Sequence, residues 1–169
     1  MTYKSKVLRI IDANVNRAME GVRVVEEIAR MVLDNKKLTE ELKNVRGNLK
    51  QAVKSLPDAK TLLKFRESLK DVGRKITTEM ENRREDLDSI FHSNIKRAQE
   101  ATRVLEEFSK GTSVKSAKAF KGLRFKLYDV EKRIKPLIVS SKRKMLDFDI
   151  YVVSDPLRLP LEAARGVIK

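Results

Sequence analysis

The chain contains no cysteine and no tryptophan, a single histidine, four prolines and six glycines in 169 residues. Without cysteine there are no disulfides, thiolate nucleophiles or thiolate metal sites, and one imidazole, His92, cannot build a histidine metal cluster. Aromatic residues make up only 5% of the chain, too few for an extended base-stacking platform. No apolar run approaches the roughly 18 residues of a membrane span. The stretch Met1 to Lys6 is polar, with no signal-peptide core. A cytoplasmic location away from the membrane is the expectation.

What the chain has instead is charge. Lys and Arg number 38 against 24 Asp and Glu, a formal charge of +14, and charged residues reach 37%, where about a quarter is ordinary. Such an excess favours anionic partners: phosphorylated small molecules, nucleic acid or acidic surfaces. Nucleic acid is the least expected of these, because Lys and Arg alternate with Glu along most of the helical patterns instead of gathering on one face.

The apolar pattern is helical nearly throughout. Val7, Ile11, Ala18, Val22, Val25 and Ala29 share one face of a helix expected to run to Leu33. Leu42, Val45, Leu49 and Val53 predict a second over 39–56, and a short piece follows over 59–65. Thr78 and Glu81 have capping-box spacing and predict a long helix from there to about Lys110. A fifth, from Ser113, carries Ala117, Phe120, Leu123, Leu127, Val130 and Ile134, and is expected to stop near Pro136. Ser140 to Lys144 is polar and basic. The β-branched run Ile150-Tyr151-Val152-Val153 predicts one strand.

The chain is similar to itself at an offset of 80. NVNRAMEGVRVVEEIAR (14–30) and NIKRAQEATRVLEEFSK (94–110) share eight identities in seventeen positions: Asn14/Asn94, Arg17/Arg97, Ala18/Ala98, Glu20/Glu100, Arg23/Arg103, Val24/Val104, Glu26/Glu106 and Glu27/Glu107. Weaker similarity aligns Val45, Arg46 and Leu49 with Leu123, Arg124 and Leu127. Two related helical hairpins packed about a pseudo-twofold axis, an all-α bundle, are the expected fold.

At about 100° per residue Asn14 lies on the buried stripe, and Asn94 lies with Leu87, Phe91, Ala98 and Thr102. A buried amide needs a hydrogen-bond partner. Gly21 within the helix implies a close approach there. The polar cluster reads either as a structural lock or as a ligand site shared by the two halves. Glu26 and Arg30 read as a solvated ion pair, and His92 as a surface residue. Between the halves, Phe65 to Ile76 has no repeat counterpart. Its glycine, Gly73, flanked by Arg66, Lys70, Arg74 and Lys75, suits either a phosphate-holding loop or a solvated turn. No Walker A pattern is present.

In this order, Arg9-Ile-Ile-Asp12-Ala13-Asn14, Asn16-Arg17-Ala18, Glu20-Gly21, Arg23-Val-Val-Glu-Glu27, Arg66…Asp71-Val72-Gly73, Glu81-x-x-Arg84-x-x-Leu87, Asn94…Lys96-Arg97-Ala98, Arg103-Val-Leu-Glu-Glu107 and Leu123-Arg124-Phe125…Leu127-Tyr128 resemble a known family. It is the helical domain found alone or ahead of thiamine-phosphate synthase (thiamine-phosphate pyrophosphorylase) and assigned as a hydroxymethylpyrimidine-phosphate kinase. The resemblance covers about 6–139. Phe148 to Asp155 is similar to the first barrel strand of the synthase. The implied division is a kinase-like helical domain over 1–139, with its repeat at about 7–56 and 87–136, a linker over 140–147 and the beginning of the barrel over 148–169. A complete (β/α)₈ barrel needs about 200 residues or more, so the synthase reaction itself is not expected of these 169 residues.

The resemblance implies a transferase of thiamine biosynthesis that moves a phosphoryl group from ATP to a small phosphorylated pyrimidine, with Mg²⁺. Such chemistry calls for positioning and charge neutralisation. Arg17, Arg97, Glu20, Glu100 and Asp71 are the catalytic candidates. Asn14, Asn94, Arg23, Arg103, Arg66 and Gly73 are candidates for substrate or phosphate binding, and Asp71, Glu20 and Glu100 for Mg²⁺. The rival reading is a non-catalytic accessory or dimerisation domain of the synthase, which makes a homo-oligomer the expected self-partner.

Overall fold

The computed structural model describes residues 2–69, 71–75 and 86–146. They form an all-α bundle of four long helices: α1 (Tyr3–Glu27), α2 (Lys36–Lys54), α3 (Leu87–Ser109) and α4 (Val114–Leu146). Two 3₁₀ segments, Ala59–Phe65 and Val72–Lys75, lie between α2 and α3. The expected strand near Ile150 and the Thr78–Glu81 capping box lie outside the described residues. Among those described, no helix is long and apolar enough to cross a membrane.

Each helix starts where its sequence can satisfy the free N–H groups of the first turn. The Thr2 hydroxyl accepts from the Ser5 N–H, and Asn35 accepts from Leu38. Asp86 and Ser89 form a reciprocal capping box on α3. Asp86 is extended there (φ −153°, ψ 176°), so the continuous helix expected from Thr78 to Lys110 is broken at Asp86, and the described helix begins at Leu87. At its other end α1 widens into a π turn over Ile28–Val32. Asp34 then takes the left-handed conformation (φ 46°) that lets the chain reverse into α2.

α4 does not stop at Pro136. It runs on to Leu146, through most of the stretch expected as a linker. Proline removes the N–H that would reach the Lys132 carbonyl. Ile134 and Ile138 are buried on either side of it, so packing holds the helix together across the missing bond.

α1 packs against α3 along most of its length, α2 covers α1, and α4 covers both α3 and α2. The four stripes meet in one core that includes Ile11, Val22, Leu42, Leu49, Phe91, Phe120 and Leu127, as the periodicity predicts. α1 and α3 are antiparallel and nearly touch at Gly21. A Cβ built there would lie 2.6 Å from the Asn94 carbonyl oxygen and 3.2 Å from Ala98 Cβ. The close approach expected at Gly21 is that of a neighbouring helix, and it leaves no room for a ligand between the halves at this point.

Two buried glutamates join helices within each hairpin. Glu26 is fully buried, which corrects the expectation of a solvated pair with Arg30; four residues after Val22 and three before Ala29, it falls on the core stripe. Its Oε2 lies 3.1 Å from Arg46 Nε of α2, an ion pair off line for a hydrogen bond, and Arg23 approaches Oε1 at 3.4 Å. Glu106 takes Arg124 of α4 through Nε and Nη2 onto Oε2, at 3.1 and 2.9 Å, with Arg103 at 3.3 Å. Tyr128 accepts from Arg124 Nη1, and the guanidinium lies 5.0 Å from the Phe125 ring centre. Between α3 and α4, Lys96 and Gln99 also hydrogen-bond to Glu131. Partial burial pushes the Glu131 carboxyl up, but those two donors outweigh it and hold the group below the usual glutamate range.

Three tests follow from this packing. Gly21→Ala lowers stability by about 2 kcal/mol through overpacking, whereas Gly47→Ala, with nothing within 4 Å of the new methyl, raises it by up to about 1 kcal/mol; thermal unfolding reads both. Arg46→Met and Arg124→Met strand a buried carboxylate and each cost about 3 kcal/mol, while Glu26→Gln with Arg46→Met recovers part of that loss in a double-mutant cycle. A carboxyl held low stabilises the fold above its ordinary pKa, and that contribution disappears as pH falls through the lowered value. Lys96→Met therefore unfolds earlier than the parent at pH 7, and the two converge once pH has fallen below the lowered value of the Glu131 carboxyl.

Candidate functional site

The segment after α2 folds back onto α1 because two arginines fasten it there. Asp12, nearly buried on α1, accepts Arg66 Nε at 2.7 Å and Nη2 at 2.9 Å, a bidentate pair. That hydrogen bond and the carboxylate charge hold the Arg66 guanidinium above its ordinary pKa, with Glu20 adding to the effect. Arg9 donates to the Glu67 carbonyl at 3.2 Å and stands 4.0 Å from Asp71 Oδ2. Leu62, buried in the 3₁₀ turn, anchors the segment to the core. The Asp71 carboxylate then accepts the Gly73 N–H through Oδ1 at 2.9 Å.

This fold-back opens a cleft of about 450 Å³ lined by Arg17, Ser68, Leu69, Asp71 and Gly73. Three residues singled out in the sequence, Arg17 from α1 and Asp71 and Gly73 from the segment facing it, thus line one cleft, and Arg66 is held on Asp12 of the same helix. Arg17 is exposed and has no hydrogen-bond or ion-pair partner among the described residues. A guanidinium left unpaired beside a turn is free to take a phosphate or a carboxylate in bidentate fashion. Among the described residues the cleft holds one cation, one carboxylate and exposed backbone, a set suited to binding and orienting an anion.

The other candidates are placed differently. Asn14 and Asn94 each donate to the carbonyl one turn back, Ile10 and Ile90. Arg23 is paired with Glu26 and Glu27, and Arg103 with Glu106 and Glu107. Lys110 and Arg103 together hold the Glu107 carboxyl below its usual range. Arg97 and Glu100 are exposed on α3, without partners among the described residues, and Glu20 is exposed on α1; none of the three lines the cleft. His92 is exposed, as expected. A larger, mainly apolar hollow of about 630 Å³ at the end of the bundle, around Tyr3, Leu8 and Phe108, contains none of the candidates.

Among the described residues no three acidic or imidazole groups converge on one point. Magnesium usually needs only one or two carboxylates and completes its shell with water and substrate phosphates. Asp71 fits that limited role from the cleft wall. Glu20 and Glu100 do not meet it there.

Asp12 is the residue that sequence reasoning passed over. An acid at the edge of an otherwise apolar stripe, with no cation at i+3 or i+4, is the signal that it serves a distant partner.

Comparison with known proteins adds a family. The ThiD2 family model matches residues 9–133. The chain is 36% identical over 151 residues to a thiamine-phosphate synthase of Rhodopirellula baltica, covering 87% of this chain and 40% of that protein. It is 38% identical over 165 residues to one of Nostoc punctiforme, covering 96% and 44%, and 34% identical over 152 residues to one of Synechocystis sp., covering 89% and 42%. It therefore spans about two fifths of the length of these relatives. No solved structure matches it. With well over half of its sequence under that one model, the chain belongs to the ThiD2 family.

Proposed function

We propose that the chain acts in thiamine biosynthesis, phosphorylating hydroxymethylpyrimidine phosphate at the expense of ATP in the cleft between α1 and residues 68–73. The observation that carries this reading is Arg17: a guanidinium without a partner among the described residues, lining the same cleft as Asp71 and Gly73. The relatives named as thiamine-phosphate synthases supply the metabolic setting.

In this reading Arg17 holds the acceptor phosphate and offsets charge as the two phosphates approach each other. Asp71 would hold a magnesium ion, which would supply charge screening for the donor phosphates, and the Gly73 turn offers exposed backbone on the same side of the cleft. Arg66 has a different task, because Asp12 already neutralises it: it keeps the turn in place. The acceptor is itself an ionised phosphate, so no general base is needed, and the exposed position of His92 outside the cleft is no obstacle.

A second reading is favoured by a separate observation. Most of the repeated charged residues, Arg23, Glu26, Glu27 and their counterparts, pair with one another inside the hairpins. That is how an accessory or dimerisation domain of a thiamine-phosphate synthase would use them.

Incubating the purified chain with Mg-ATP and hydroxymethylpyrimidine phosphate separates the two. Stoichiometric ADP and pyrimidine diphosphate support the kinase, and Arg17→Ala and Asp71→Asn then lower kcat/KM by about 100-fold or more with unfolding temperatures unchanged. Absence of turnover from a folded sample at several temperatures, or full activity in Arg17→Ala, favours the accessory reading.

A further inference from the structure

Among the described residues, one half of the face formed by α2 and α4 carries no carboxylate; Glu41 and Asp129 lie on the other half, around Arg133. From Leu42 to Pro57 on α2, and from Phe108 to Tyr128 leading into and along α4, the sequence contains no Asp or Glu. Two of the arginines there, Arg46 and Arg124, turn inward to Glu26 and Glu106. The lysines do not: Lys50, Lys54, Lys115, Lys118, Lys121 and Lys126 are exposed and have no ion-pair partner among the described residues. The alternation of charge along the chain hides this face, because the two acid-free stretches lie far apart in sequence and meet only when α2 and α4 pack antiparallel.

Where they meet is a groove of about 340 Å³, floored by Ala52, Ala119 and Gly122, with Lys115 and Lys126 on one bank and Asn48 and Gln51 on the other. Nothing stands within 4 Å of a Cβ built on Gly122. The two bank lysines are eleven residues apart on α4, roughly 16 Å at 1.5 Å per residue. That span suits a chain carrying phosphates at intervals better than one compact ligand, and the cations on both outer sides extend the positive strip. Phe125, on the outward side of α4, is 55% exposed and gives a base a surface to stack on.

We propose that the acid-free face of α2 and α4 binds single-stranded nucleic acid, with backbone phosphates running along Lys115 and Lys126 and a base resting on Phe125. A second copy of this chain is a poor occupant, since it brings the same charge of +14. Recognition is of the backbone and independent of sequence, because the polar groups lining the groove are two amides, the Ser55 hydroxyl and two ammonium groups, with Phe125 outside it on the same helix.

The test is fluorescence anisotropy with a labelled oligothymidine of about 15 nucleotides. Engagement of about four phosphates predicts an affinity that falls roughly 50-fold between about 50 and 200 mM salt. Lys115→Glu with Lys126→Glu weakens binding at least tenfold and flattens the salt slope. Phe125→Ala weakens it by about tenfold at unchanged slope. The control pair Lys6→Glu with Lys64→Glu makes the same change in net charge outside the groove and alters binding by less than about threefold at moderate salt. Circular dichroism confirms that each variant is folded. No binding at low salt overturns the proposal, and so does equal weakening by the control pair, which would mean a diffuse field effect. Displacement by inorganic tripolyphosphate at matched phosphate concentration, with Phe125→Ala silent, overturns it in favour of a compact polyphosphate ligand.

Discussion

The fold depends on two carboxylates placed where water cannot reach them. Glu26 and Glu106 sit in the core among aliphatic side chains, where an unpaired charge would cost several kcal/mol. Each therefore demands a cation from another helix, and Arg46 and Arg124 supply it. Hydrophobic burial alone would let α2 slide along α1, or α4 along α3, with little change in area. A buried ion pair admits one register, because any displacement leaves both charges stranded. Arg23 and Arg103, paired from the same helix, share the neutralisation without fixing the partner helix.

The same pairing logic sorts the charged residues into those already satisfied and those still available. Once Arg23, Arg46, Arg66, Arg103 and Arg124 are assigned to carboxylates inside the molecule, Arg17 stands out on α1 with Asp71 across an open cleft. A high overall charge says little about where an anion binds. The residues without partners among those described say more where they line a hollow, and two such places are the α1 cleft and the lysine-rich face of α2 and α4.

Much of this architecture is legible in the sequence. The 3.6-residue stripes name most of the core but not Leu8, Leu38, Leu62, Ile95 or Leu105, and the glycine at position 21 announces a close helix crossing. The weak alignment of Arg46 with Arg124 marks the two cross-helix cations, although the spacing of Glu26, the partner of Arg46, also reads as half of a solvated pair. Glu26 was misjudged because its spacing to Arg30 fits an exposed pair, while its spacing to Val22 and Ala29 places it in the core, and only packing decides between them. Helix ends were harder to read. The Asp86–Ser89 cap interrupts the helix expected from Thr78, and α4 crosses Pro136 because burial of Ile134 and Ile138 outweighs one missing hydrogen bond. The cleft was beyond reach of periodicity, since it exists only where Arg66 and Asp12, far apart in sequence, meet.

The crossing at Gly21 also breaks a degeneracy. Two hairpins with such similar sequences have a competing arrangement available, in which equivalent hairpins of separate chains exchange places or one hairpin docks on its own twin. At the position 80 residues on, the glycine is replaced by Ala101, which is buried with its methyl in place. In the folded chain Gly21 packs on Asn94 and Ala98, whose counterparts in the first hairpin, Asn14 and Ala18, are the same residue types. A pair of second hairpins would instead set an Ala101 methyl at both crossings and hold the two helices apart, so the missing methyl at position 21 biases the chain against docking one second hairpin on its twin.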